Sequence, residues 1–275
     1  MALELPGPLL LAGAGKMGGA LLEGWLARGM KPSQVLVQDP APGEAVAALI
    51  KRHQIARIDP AGLSPTAPPS VILVAVKPQI MDAAFTPLAK IAGPGTLVLS
   101  IAAGRTIASF EKHLAPGAAV VRAMPNTPAA VGRAITVCVG NAAVTSEQRR
   151  LCEELMSAVG DVAWVEDEGL MDAVTAVSGS GPAYVFLLAE CLEKAGRAAG
   201  LDQALARRLA IATVSGAGEL LHRSDVDASV LRENVTSPGG TTAAALAILM
   251  EEGGFEELLK KAVAAGAGRS RELAK

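Results

Sequence analysis

The sequence predicts an α/β fold in which a doubly wound parallel sheet precedes an all-helical C-terminal domain, and three patterns carry that expectation. Six short segments are almost continuously apolar, helical periodicities separate them, and beyond about residue 165 the β-branched runs give way to Ala- and Leu-rich stretches. The apolar segments are Leu9 to Ala12, Val35 to Gln38, Val71 to Val76, Thr96 to Ile101, Val120 to Met124 and Ile135 to Val139. A strand covered on both faces reads this way. Between them Met17 to Arg28, Glu44 to His53, Ile80 to Ile91 and Ile107 to Leu114 have helical spacing, and strand–helix–strand order implies right-handed crossovers. The expected domains are 1–164 and 165–275.

In the second domain, Leu201 to His222 places Leu205, Leu209, Ala212 and Ala217 on one side and Arg207, Arg208 and Glu219 elsewhere. Such a stripe needs a partner surface, so a homodimer or higher homo-oligomer through the C-terminal helices is expected.

Composition narrows the function. With 51% hydrophobic and 19% charged residues the chain is too apolar for disorder, and its net charge of −2 offers no footprint for a phosphate backbone. Two Trp, one Tyr and four Phe supply no stacking platform for single strands, so nucleic acid is not an expected partner. Cys138, Cys152 and Cys191 are odd in number and lack CxxC spacing, which points to a reducing cytoplasm and to neither a disulfide framework nor a zinc site. Glu4 precedes the first basic residue, Lys16, the wrong charge order for a secretory signal. The uncharged run Ala173 to Ala189 contains Gly and Pro and falls short of a membrane span. His53, His113 and His222 show no HExxH spacing, and no G-x-S-x-G elbow follows a strand, so neither metal hydrolysis nor a serine nucleophile is expected.

Two segments carry chemistry. Leu9 to Ala12 runs into Gly13-Ala14-Gly15-Lys16-Met17-Gly18 and then a helix, the strand–GxGxxG–helix context of a Rossmann-type dinucleotide site. Gly13 would permit the tight turn, Gly15 the approach of a pyrophosphate, and Gly18 close helix–sheet packing, with the helix N-terminus facing the anion. A glycine turn needed only for packing is the plainer alternative. Asp39 ends the second strand, where it could bind the adenosine ribose and repel a 2′-phosphate, which favours NADH; it could equally be a turn residue of Asp39-Pro40.

The second segment is Asn234-Val235-Thr236-Ser237-Pro238-Gly239-Gly240-Thr241-Thr242, followed by the apolar stretch Ala243 to Met250. Read as a helix start, Ser237 caps, Pro238 fills the first turn, and the glycines leave N–H groups open beside two hydroxyls. A small carboxylate would fit there, an anion at a helix N-terminus gaining ~0.3–1 kcal/mol before direct hydrogen bonds. A plain capped helix is the alternative. Ser178-Gly179-Ser180-Gly181-Pro182-Ala183-Tyr184 reads as close packing or a bend, with Tyr184 a core group or a site donor.

With these residues in view the chain resembles the pyrroline-5-carboxylate reductase family over nearly its whole length. The matching segments are Gly13 to Gly18, Ala75-Val76-Lys77-Pro78, Ser100-Ile101-Ala102-Ala103-Gly104, Arg122 to Pro128, Val177 to Tyr184 and Asn234 to Thr242. The resemblance implies that Ala75 to Pro78 and Ala102, Ala103 and Gly104 border NAD(P)H, and that Asn234 reaches toward the nicotinamide. It implies that Ser237, Gly239, Gly240, Thr241 and Thr242 hold the substrate carboxylate. It also puts Asp225 near the substrate ring nitrogen, although Ser224-Asp225-Val226-Asp227 could serve only to cap a helix. Asp39 departs from the small polar or basic residues that NADPH users of the family carry.

The resemblance thus implies reduction of 1-pyrroline-5-carboxylate to L-proline, with Thr242 and Asp225 as catalytic candidates. Two other readings stay open. One is a related imine or 2-hydroxy-acid reductase, for which Lys77 is the nearest proton donor; the other is a non-catalytic NADH-binding sensor.

Overall fold

A computed structural model describes residues 3–59 and 68–274. Its contacts divide the chain into two compact units, one holding the residues up to Gly179 with those from Ala267 onward, the other Ser180–Gly266. The division falls later than the change of texture near residue 165 and returns the chain's end to the first unit. The reason lies in packing: the helical residues just after 165 bury Met171 and Ala176 within the first unit, and Ser270 Oγ donates to Asp172 Oδ1 at 2.5 Å.

The first unit is built on one eight-stranded sheet in the order β3-β2-β1-β4-β5-β6-β7-β8. The strands are β1 (Leu9–Ala12), β2 (Val35–Gln38), β3 (Ala56–Arg57), β4 (Val71–Val74), β5 (Leu97–Ser100), β6 (Ala119–Met124), β7 (Ala134–Gly140) and β8 (Gly160–Trp164). The first six run parallel, whereas β7 pairs antiparallel with β6 and β8 parallel with β7. The antiparallel pairing of β7 follows from its link to β6, a short 3-10 turn at Thr127–Val131 that cannot serve as a crossover of about a dozen residues or more.

Alternation explains why the strands read as continuous apolar runs. Leu9, Leu11, Val71, Leu73, Leu97 and Leu99 face one core, while Leu10, Ile72, Val74 and Val98 face the other. The first core is closed by α1 (Lys16–Ala27), α2 (Glu44–His53) and, after α3 (Met81–Ala89) and α4 (Ile107–Glu111) cover the second, by α5 (Ser146–Met156). The sequence reading lacked α5, β3 and β8. α5 is strongly charged and buries only Cys152, Leu155 and Met156, and β8 alternates between half-buried and exposed positions, with only Val162 to Trp164 apolar in it.

Cys138 and Cys152 meet in the first core with sulfurs 3.8 Å apart. Contact with the Cys138 thiol, then burial, push the Cys152 thiol well above its ordinary range, so it stays protonated.

From residue 165 onward the described chain has no strand: α6 (Met171–Val174) and a π turn at Thr175–Gly179 lead to α7 (Gly181–Ala198), α8 (Gln203–Arg223), α9 (Ala228–Asn234), α10 (Thr241–Leu249) and α11 (Phe255–Leu273). The Ser178 to Tyr184 segment thus holds a π turn followed by Pro182 in the first turn of α7, and Gly179 lies so near Met124 that a Cβ would stand 2.7 Å from its Cε. In the second unit α7 packs on α8 through small residues: Ala206 and Ala210 are buried, and a Cβ on Gly196 would stand 3.4 Å from that of Ala206. The larger Leu205 and Leu209 stay exposed, as do Phe186, Leu187 and Ile248.

Trp25 of α1 is fully buried and donates its Nε1–H to the Leu155 carbonyl of α5 at 2.9 Å. Trp25→Phe should lower unfolding free energy by about 1–3 kcal/mol, because it leaves that carbonyl unpaired in the core. Urea unfolding checks this, and a loss below about 0.5 kcal/mol would show that the bond does not hold α1 to α5.

Candidate active site

The carboxyl ends of β1, β2, β4 and β5 share one edge, since Ala12 stands in register with Gln38 and Val74, and Val74 with Ser100. The chain order reverses beside β1, whose neighbours are β2 and β4, and a crevice opens at such a point. Gly13 to Gly18 follow β1, Asp39 follows β2, Ala75 to Pro78 follow β4, and Ala102 to Gly104 come just after β5. All the cofactor-side residues expected from the sequence, except Asn234, are thereby brought to this edge.

The three loop glycines have separable causes. Gly13 has φ +90°, and a Cβ there would stand 2.8 Å from the Ala75 carbonyl. At Gly18 a Cβ would overlap the Gly13 carbonyl oxygen. Gly15 is exposed, and a Cβ on it would meet nothing within 4 Å, so its smallness answers no neighbour in the protein. Space is left beside the start of α1, whose first helical bond is Gly19 N–H to Gly15 O at 2.7 Å. The N–H groups of the first turn precede that bond, no side chain caps Gly15, and no acidic residue stands in the turn. These residues fit a pyrophosphate. Asp39 links the loop to β2: its Oδ2 accepts from Ala14 N–H at 2.7 Å and its Oδ1 from Ala41 N–H at 2.9 Å.

The other expected residues lie in the second unit, around α9 and α10. The reading of Ser237 as the cap is corrected: the N-cap is Gly240, and Ser237 through Gly240 form a turn closed by Gly240 N–H to Ser237 O at 3.0 Å. Pro238 at the second position and Gly239 at φ +70° at the third are the residues a type II turn requires, so the proline belongs to this turn and not to the helix. Thr241 and Thr242 open α10 with no side-chain cap, no acidic neighbour, and a first bond only at Ala244 N–H to Gly240 O, 3.2 Å. Asn234 ends α9 and is exposed. Asp225 is exposed in the α8–α9 link, and the N-cap of α9 is Asp227.

Three positioning interactions were not read from the sequence. Asn126, 8% exposed, donates Nδ2–H to the Ser178 carbonyl at 3.2 Å and accepts from Ile135 N–H at 3.0 Å, tying the Arg122 to Pro128 segment to Val177 to Tyr184. Glu168 Oε1 accepts from buried Arg122 at 3.0 Å and from Ile107 N–H at 2.9 Å, holding the start of α4 just after Ala102 to Gly104. Arg57 donates Nη2–H to the Asp39 carbonyl at 2.7 Å. The segments holding Asn126 and Ser178 were visible as motifs, but a bond across 52 residues leaves no local trace.

The roles of Gly13 and Gly15 can be told apart. Gly13→Ala should lower thermal stability, since the left-handed φ and the Ala75 carbonyl both oppose a side chain. Gly15→Ala should leave melting unchanged yet weaken dinucleotide binding about tenfold or more by calorimetry. Unaltered affinity in Gly15→Ala would remove the pyrophosphate role.

Comparison with known proteins agrees with this layout. Residues 168–273 match the family described as pyrroline-5-carboxylate reductase dimerisation, and residues 9–104 match NADP oxidoreductase coenzyme F420-dependent. The pyrroline-5-carboxylate reductase of Pseudomonas aeruginosa is 40% identical over 262 residues, 95% of each chain. A solved pyrroline-5-carboxylate reductase from Coxiella burnetii superposes with a TM-score of 0.90 at 34% identity, covering 98% of this chain and 100% of that one. The Plasmodium falciparum pyrroline carboxylate reductase, solved with NADP bound, gives 0.81 at 28% identity, covering 98% and 99%. On sequence identity over its length, and on the segments that surround both helix starts, the chain belongs to the pyrroline-5-carboxylate reductase family.

Proposed function

We propose that the chain reduces 1-pyrroline-5-carboxylate to L-proline with NAD(P)H, and the observation that carries this is its pair of bare, glycine-capped helix starts. α1 and α10 both begin on glycine without a side-chain cap or an acidic first turn, whereas Thr106, Thr145 and Asp202 cap α4, α5 and α8. Donors left open at a helix N-terminus attract anions. At α1 the anion is the cofactor's pyrophosphate, and at α10 the substrate carboxylate, held by the N–H groups of Gly240 to Thr242 and the hydroxyls of Thr241 and Thr242.

Bound NAD(P)H supplies the hydride, from nicotinamide C4 to the C=N carbon. The chain's residues hold the ring in attack geometry against that carbon, which is where most of their contribution lies. Asn234, at the end of α9, orients the nicotinamide, and the Asp225 carboxylate favours the protonated, cationic imine. Ala75 to Pro78 and Ala102 to Gly104 line the cofactor crevice. Asp39 at the end of β2 supports a preference for NADH through the adenosine ribose. The exposed apolar faces of the second unit support assembly through the C-terminal helices into a homodimer or larger homo-oligomer.

Thr242→Ala should raise KM for 1-pyrroline-5-carboxylate and lower kcat/KM about tenfold, with the NADH Kd within twofold of the unmodified protein. Unchanged kcat/KM would remove the carboxylate role. Light scattering should give a dimer or larger species at micromolar concentration; a monomer would sink the assembly.

A further inference from the structure

The loop of residues 101–106, which carries Ala102 to Gly104 from β5 to α4, is closed at its base by one ion pair. At its start, Ser100 of β5 stands in register with Arg122 of β6. The Arg122 side chain, only 5% exposed, donates Nη1–H to Glu168 Oε1 at 3.0 Å. The same oxygen accepts from Ile107 N–H, at the far end of the loop, at 2.9 Å. Arg122 and Glu168 thus form a bracket that joins the two ends of the loop. Thr106 takes the Ser109 N–H of α4 at 3.3 Å, so Glu168 meets a donor of that helix start which the cap leaves over.

Two further contacts touch the loop, and neither replaces the bracket. Arg105 donates to Asp82 in the first turn of α3 at 3.2 Å, but Asp82 is 63% exposed and a pair so open to water holds little. Gly104, at φ +69°, lies beside Leu273 of α11, whose carbonyl oxygen would stand 3.3 Å from a Cβ there. The Arg122–Glu168 contact differs in kind, since removing Glu168 leaves a buried guanidinium without its counter-charge.

We propose that Glu168, backed by Arg122, is a positioning residue for hydride transfer: it fixes the loop of residues 101–106 and, through the loop, the nicotinamide half of the cofactor. The proposal rests on the dinucleotide site proposed above. The sheet runs β2-β1-β4-β5 along the crevice, so with the adenosine ribose at the end of β2 and the pyrophosphate at α1, the other half of the dinucleotide extends past β4 to this loop. Attack geometry there depends on how firmly the groups behind the contacting backbone are held.

Three substitutions separate positioning from stability. Glu168→Gln loses the charge but keeps an oxygen that can accept both bonds, because both end on Oε1. Glu168→Asp keeps the charge but draws the oxygen back by about 1.5 Å, one carbon–carbon bond, so it cannot serve both donors. Glu168→Ala removes both bonds. Calorimetric Kd and stoichiometry for NADH and 5′-AMP, with KM and with kcat per binding site for 1-pyrroline-5-carboxylate, are measured below the melting temperature of every variant. NADH affinity and kcat/KM should fall in the order unmodified, Gln, Asp, Ala, with Asp down about three- to tenfold, Ala about tenfold or more, and 5′-AMP within about twofold throughout. A role in stability alone gives a different signature: Asp outperforms Gln, fewer sites bind, and NADH Kd, KM and kcat per site stay unchanged. That result would overturn the proposal, as would equal weakening of NADH and 5′-AMP. If Glu168→Ala does not fold, the order of Gln and Asp decides. Failure of the unmodified protein to bind either ligand would instead bring down the dinucleotide site, and NADH binding without turnover would bring down the substrate while the NADH constants still test Glu168.

Discussion

Backbone packed directly on backbone at the carboxyl end of β1 is the constraint from which the remaining geometry follows. Gly13 turns the chain with φ +90° against the Ala75 carbonyl, and Gly18 lies against the carbonyl of Gly13. No side chain fits between these segments, so the turn after β1, the end of β4 and the first turn of α1 form one rigid junction. Everything that borders the crevice is referred to it. Asp39 is hydrogen-bonded to Ala14, the residue after Gly13, Arg57 to Asp39, and the strand register carries the same edge across to Ser100.

Side chains meet open donors at α4, α5 and α8, through Thr106, Thr145 and Asp202, whereas α2, α3, α7 and α9, like α1 and α10, start without a side-chain cap. Leaving them open costs stability unless a ligand or water takes the bonds. α2 also starts on an uncapped glycine, Gly43, but carries Glu44 in its first turn; glycine at the N-cap with no acidic residue behind it, as in α1 and α10, suits close approach of backbone to an anion. On the proposed function the 3% aromatic content follows as well, since two anions held by amides and hydroxyls would need few aromatic walls.

The two units solve burial differently. The sheet buries its apolar side chains twice over, strand by strand, with Trp25, Phe85 and Phe110 filling the largest spaces. The second unit joins α7 to α8 through Ala206, Ala210 and Gly196 and leaves leucines outside. Small residues allow close helix approach but remove little apolar surface from water, so the driving force for burial remains on the outer faces. A family whose C-terminal part is described as a dimerisation region is consistent with that distribution.

Local pattern alone determined the strands that are covered on both faces, the helices with apolar stripes, the glycine loop and the open second loop, because each is written in the spacing of neighbouring residues. β1, β2 and α2 lie where the spacing places them. Only the tertiary structure decided the reversal of β7, the edge strands β3 and β8, the charged α5, and the shift of the α10 cap from Ser237 to Gly240. It also decided which polar groups pair: Asn126 finds Ser178, Arg122 finds Glu168, and Arg57 finds Asp39. These are pairings between residues 18 to 52 positions apart, and a periodicity of two or 3.6 carries no information about a partner at that distance.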